Sequence, residues 1–177
     1  MISCIPIQKM ISVDGEFLQR ISVSLQKQNL KVATAESCTG GFLANFLTNI
    51  SGSSNYFERG LITYSNKSKI ELLNVSEESI NNFGAVSKEV AIEMAKGVRT
   101  KSNVDIGIAT TGIAGPTGGT KEKPVGLVYI AISTVDETFI REFQFKGDRI
   151  QNKQFTSEAA LKMLLSVLDN SNGDNSC

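Results

Sequence analysis

Three places along the chain gather residue types that could do chemistry. The first is Glu36-Ser-Cys-Thr-Gly-Gly41. The strand-like run Leu30–Ala35 leads into it, and an apolar helical pattern begins at Phe42. A hydroxyl on such a strand-to-helix turn sits at the carboxyl edge of a sheet, where α/β proteins bind their ligands. The N–H groups that open the following helix lack intrahelical partners and can face an anion. Ser37 is therefore a candidate nucleophile, with the backbone of Thr39, Gly40 and Gly41 around a developing oxyanion. The glycines also let a ligand approach the backbone closely. A plainer account fits the same residues: Ser37 or Thr39 caps the helix, and the glycines make a tight turn. Cys38 is a rival nucleophile, or a small buried hydrophobe. The turn is not Gly-x-Ser-x-Gly, so it is not the α/β-hydrolase elbow.

A serine needs a base, and the chain contains no histidine. Neither a Ser-His-Asp triad nor a Cys-His pair can be built. The second place, Tyr64-Ser-Asn-Lys-Ser-Lys69, supplies the alternative. A lysine becomes a base when burial lowers its pKa from roughly 10.4. Lowering it by ~3 units costs about 4 kcal/mol, so only a shielded pocket sustains it. Lys67 and Lys69 both qualify by spacing, and both could equally be solvated residues at a helix start. Tyr64 reads as a half-buried strand aromatic or as a proton relay.

The third place is the glycine-rich stretch Thr111-Gly-Ile-Ala-Gly-Pro-Thr-Gly-Gly-Thr120, continuing to Lys123-Pro-Val-Gly126. Gly112 and Gly115 could bring backbone N–H groups onto a phosphate or ribose. The stretch matches neither Gly-x-Gly-x-x-Gly nor Gly-x4-Gly-Lys-Ser/Thr, and a flexible turn explains it as well. Further on, Phe145-Lys-Gly-Asp-Arg149 places Arg149 at the start of the last helical pattern, where it could meet a phosphate or simply lie on the surface.

These places need elements to hold them. Phe17, Ile21 and Leu25 recur every fourth residue behind Asp14, which predicts a helix over 14–29. Strand 30–35 and helix 42–50 flank the serine turn. Gly60–Ser65 reads as a strand, with a short helix around Ile70–Leu73. Ser76 caps another helix ending at Gly84. Ser87–Thr100 is helical, with Val90, Ala91, Met94 and Val98 inward. Strand 104–110 precedes the glycine-rich loop. Val125–Ser133 and Thr138–Phe145 make a hairpin, and Asp148 caps a helix to about Leu168. Strands alternating with helices, followed by a hairpin, predict an α/β fold: a three-layer α/β/α sandwich on a mostly parallel mixed sheet. The organisation is an N-terminal extension over 1–13, one domain over 14–169 and a polar tail over 170–177.

Composition excludes other classes. With 177 residues and 18 basic against 18 acidic, nothing forms a basic stripe for nucleic acid. No apolar run reaches the ~20 residues that span a bilayer, and no signal peptide is legible. Cys4, Cys38 and Cys177 are odd in number and far apart, which suits a reducing, cytoplasmic compartment rather than a disulfide framework. No Cys/His spacing suits a structural zinc.

In order, the chain carries Thr34-Ala-Glu-Ser-Cys-Thr-Gly-Gly41, Gly52-Ser-Ser-x-Tyr-Phe57, Tyr64-Ser-Asn-x-x-Lys69, Gly84-Ala-Val-Ser87, Thr111-Gly-Ile-Ala-Gly-Pro116, Lys123-Pro-Val-Gly126 and Gly147-Asp-Arg149. Over about residues 15–168 it resembles the CinA C-terminal domain, also called PncC. The resemblance implies an α/β/α domain that deamidates nicotinamide mononucleotide to nicotinate mononucleotide plus ammonia, with no metal or other cofactor. It implies Ser37 as nucleophile with Tyr64 and Lys69 beside it, favours Lys69 over Lys67, and implies a homodimer. The family name also suggests a different class: a non-catalytic nucleotide- or protein-binding module in competence or DNA damage. A nucleoside-phosphate hydrolase built on the Gly112–Gly119 loop is a third reading.

Overall fold

The computed structural model describes residues 13–171. The expected extension over 1–13 and the polar tail, with Cys4 and Cys177, lie almost wholly outside them. The first helix, α1 (Gly15–Lys27), starts where Asp14 accepts a hydrogen bond from the Phe17 N–H at 2.9 Å. Its buried stripe is Phe17, Leu18, Ile21 and Leu25, the four-residue repeat visible in the sequence. Then follow β1 (Val32–Glu36), α2 (Phe42–Thr48), β2 (Phe57–Ile62), α3 (Asn66–Leu73), α4 (Glu77–Phe83), α5 (Lys88–Ser102), β3 (Ile106–Gly112), β4 (Leu127–Ser133), β5 (Thr138–Gln144) and α6 (Arg149–Ser171).

The strands form one five-stranded sheet in the order β2-β1-β3-β4-β5. β1 pairs in parallel with β2 and β3, while β4 is antiparallel to both β3 and β5. Four strands therefore share a direction and β4 alone runs against them. Helices α1, α2 and α6 cover one face, over Ile106, Ile108, Val128 and Ile130. Helices α3, α4 and α5 cover the other, over Ala33, Ala35, Ala109 and Ala131. The small residues on the second face let α5 lie close to the sheet: a Cβ on Gly107 would stand 2.2 Å from the Ala95 carbonyl. This is the α/β/α sandwich the sequence predicts.

Most boundaries shift by one or two residues from the sequence expectation, and two shift further. β2 begins at Phe57 rather than Gly60 and ends before Thr63. It is an edge strand, so exposed Glu58 and Arg59 fit where a buried strand would not admit them. α3 begins at Asn66 rather than Ile70, because Ser65 and Ser68 cap it reciprocally.

The order β2-β1-β3 has a consequence for the site. The connection leaving β1 runs to α2 on one face, and the connection leaving β2 runs to α3 on the other. Neighbouring parallel strands whose exits diverge leave a crevice at their carboxyl ends, the usual ligand position in such sheets.

Candidate active site

Ser37 and Lys69 meet in that crevice. The Ser37 turn follows β1, and its N–H donates to the Thr110 carbonyl of the neighbouring β3 at 2.9 Å. Ser37 is 9% exposed. Lys69 lies one turn into α3, inward on the same face as Leu73, and is only 1% exposed. Its Nζ lies 3.0 Å from Ser37 Oγ, 2.8 Å from the Thr63 carbonyl oxygen and 3.4 Å from that of Tyr64. Burial is the main cause that brings its pKa down from 10.5 to about 8. No carboxylate pairs with it among the described residues. Lys67 instead points outward, where its ammonium pairs with Glu71 at 3.5 Å. Spacing left two lysines open; the structure brings only Lys69 to the serine.

The three contacts match both states of the amine. As an ammonium, Nζ donates to two carbonyls and to Ser37 Oγ. As a neutral amine, it keeps the two carbonyls as acceptors and turns its lone pair on the serine hydroxyl. Lys69 can therefore take a proton from Ser37 without moving. The rival nucleophile is disfavoured: burial pushes the Cys38 thiol up to about 12, which keeps it protonated near neutral pH.

The pocket in front of this pair has a volume of about 260 Å³. Gly112, Gly115, Tyr64 and Arg149 line it together with Ser37 and Lys69. Arg149 opens α6, donating from one guanidinium nitrogen to the Gly115 carbonyl at 2.7 Å and from another to the Tyr64 hydroxyl at 2.8 Å. Tyr64 is 59% exposed at the mouth, so its hydroxyl faces Arg149. It does not stand between Lys69 and Ser37, and the direct contact makes the expected relay unnecessary.

The N–H groups at residues 39–41 differ from expectation. Glu36, 1% exposed at the end of β1, turns its carboxylate onto the start of α2. It accepts from the N–H groups of Gly41 at 2.8 Å, Leu43 at 3.1 Å and Ala44 at 2.8 Å. The helix terminus that an external anion would use is filled by the chain's own carboxylate. Gly41 is thus not an oxyanion donor, and its positive φ of 99° serves the turn into α2. Thr39 is fully buried, sharing a 2.8 Å hydrogen bond with Thr110. Gly40, with φ at +58°, lies beneath the Lys153 ammonium. None of Thr39, Gly40 and Gly41 lines the pocket.

Other side chains fix the walls. Thr111 Oγ1 donates to the Ala85 carbonyl at 2.8 Å. Lys123 Nζ donates to Phe83 and Val86 carbonyls at 2.6 and 2.7 Å, tying the glycine-rich loop to the segment after α4. Buried Asn152 donates to the Ala114 carbonyl at 3.0 Å and so holds that loop against α6. Sequence reasoning overlooked Asn152; its one signal was an asparagine on the inward face of the last helix, four residues from Asp148.

Comparison with known proteins identifies the family of this fold. The CinA C-terminal domain model matches residues 15–168. The chain belongs to the CinA C-terminal domain family. A CinA-like protein of Syntrophus aciditrophicus is 49% identical over 159 residues, covering 89% of this chain and 38% of its own length. A CinA-like protein of Chloroherpeton thalassium is 50% identical over 162 residues, covering 89% and 39%. The chain thus spans about two fifths of the curated relatives it matches. The crystal structure of competence/damage inducible protein CihA from Agrobacterium tumefaciens superposes with a TM-score of 0.85 at 40% identity, covering 90% of this chain and 99% of that one. Most of the CinA-like blocks read from the sequence converge on one rim: the Ser37 turn, Tyr64–Lys69, Ala85–Val86, the glycine-rich loop and Arg149 all line the pocket. Among the described residues, no helix is long and apolar enough to cross a membrane.

Proposed function

We propose that this CinA-family domain is an amidohydrolase that deamidates nicotinamide mononucleotide, with Ser37 as nucleophile and Lys69 as base. The observation that carries it is the buried Lys69 amine 3.0 Å from Ser37 Oγ. Burying a lysine without a carboxylate is costly, and a module that only binds has no use for the cost. Neutral Lys69 takes the Ser37 proton as Oγ adds to the carboxamide carbon. The ammonium returns that proton to the amide nitrogen, the C–N bond breaks and ammonia leaves. Water then adds to the acyl ester with Lys69 again as base, releasing the carboxylic acid and Ser37. Since Gly41 is bound to Glu36, and Thr39 and Gly40 lie off the pocket, the tetrahedral oxygen has the N–H of Cys38, the turn residue beside Ser37 that lines the pocket, as its donor.

Size and charge support a mononucleotide. A pocket of about 260 Å³ lies just under the roughly 300–1,000 Å³ typical of ligand sites, so it suits a ring and sugar with the remainder at the mouth. There Arg149 is held by neutral acceptors, with no carboxylate in salt-bridge range among the described residues, and keeps its charge for a phosphate. The test is ammonia release from nicotinamide mononucleotide. Ser37→Ala is expected to abolish it with the fold intact, and Cys38→Ala to retain it. The reverse pattern removes the mechanism, and strict dependence on a divalent cation turns the reading toward phosphate hydrolysis.

A further inference from the structure

One cation beside the serine turn is unused by the mechanism above. Lys153 follows Arg149 by four residues on α6, so the two share a helix face, one turn apart. Arg149 reaches the glycine-rich loop and the mouth of the pocket. Lys153 reaches the other side, the turn that carries Ser37. Its Nζ lies 4.7 Å from the centre of the Phe42 ring, and a Cβ on Gly40 would stand 3.5 Å from it. The absence of a side chain at Gly40 leaves that ammonium open above the turn. No carboxylate lies within salt-bridge distance of Lys153 among the described residues, and the aromatic face only partly offsets its charge. Two unneutralised cations therefore stand one helical turn apart on α6, Arg149 in the pocket lining and Lys153 over the Gly40–Phe42 side of the turn that carries Ser37.

We propose that Lys153 is the second cation of the substrate's phosphate subsite and, with Arg149, sets a preference for the phosphorylated amide over the riboside. The inference rests on the deamidase reading for its substrate and adds the group that selects it. A phosphate monoester is close to a dianion at neutral pH, and two fixed cations match it better than one. Its other end stays free to place the carboxamide at Ser37.

The experiment compares Lys153→Gln and Lys153→Arg with wild type, measuring ammonia release from nicotinamide mononucleotide and from nicotinamide riboside. It also measures binding of the products, nicotinate mononucleotide and nicotinate riboside, by calorimetry. Lys153→Gln is expected to raise KM for the mononucleotide about five- to tenfold, the range of one charge-assisted contact at a partly exposed site. The ratio of kcat/KM for mononucleotide over riboside is expected to fall by the same factor, and Lys153→Arg to restore most of it. Equal losses on both substrates, or no loss on either, overturn the proposal and leave Lys153 as a packing partner of Phe42. If wild type releases no ammonia at all, the deamidase reading falls and calorimetry alone decides the subsite. Weaker nicotinate mononucleotide binding in Lys153→Gln, with the riboside unaffected, keeps it; unchanged binding, or no binding by wild type, removes it.

Discussion

The pH dependence of turnover tests the Lys69–Ser37 pair most directly. Only the neutral amine can accept the serine proton. With a pKa near 8, the neutral fraction at pH 7 is about one in eleven. At the ordinary value of 10.5 it would be roughly one in three thousand. Burial thus raises the competent fraction about 300-fold. The expected kcat/KM for nicotinamide mononucleotide climbs about tenfold per pH unit below 8 and levels above about 9. The substrate phosphate, with a second pKa of about 6, is mostly dianionic above about pH 7 and at pH 6 changes the profile by no more than about twofold, small against the tenfold steps expected from the amine. The same shift appears in stability. A lysine whose folded pKa lies below its unfolded one makes the unfolded chain bind the extra proton between pH 8 and 10.5, so stability rises with pH there. The shift of about 2.5 units corresponds to ~3 kcal/mol. Urea unfolding of wild type against Lys69→Met, over pH 7–10.5, isolates it because the other titrating groups cancel. A kcat/KM flat from pH 6 to 8, or one still rising at pH 10, would mean a base other than this buried amine.

Two further predictions concern what holds the pair. Glu36→Gln replaces a carboxylate that accepts from three N–H groups, leaving donors facing donors. It is expected to cost about 2–3 kcal/mol and lower Tm by about 5–10 °C, and an unchanged melting curve would refute the capping role. Lys123→Met frees the Phe83 and Val86 carbonyls. Each lost bond is worth about 1 kcal/mol, so KM is expected to rise several-fold, with faster amide exchange at residues 84–87 and little change in kcat.

How much of this was legible depends on the kind of signal. The four-residue repeat in α1 and the inward residues of α5 were plain, because burial imposes a period on the chain. Ser37 was legible because a hydroxyl on a strand-to-helix turn has a defined place. Lys69 was not separable from Lys67 by spacing, although Leu73, four residues on, marks the inward face and Glu71, four after Lys67, the outward one. The capping role of Glu36 was not legible, because spacing shows only a carboxylate at the head of the serine turn; its reach over the start of α2 is a tertiary fact. The role of Tyr64 depended on Arg149, which lies 85 residues away. Sequence spacing carries no trace of that meeting.

The single reversed strand has a practical reach. Because β4 carries the chain away from the rim that holds Ser37 and β5 brings it back, the bend between them lies at the opposite pole of the sheet. There Thr134 and Glu137 close the bend by backbone pairing, and Val135 stands 70% exposed between them. A dye, an affinity handle or a short inserted peptide grafted at residues 135–136 would sit a full strand length from the Ser37–Lys69 pocket, and the protein could be tethered or watched there with that pocket left clear.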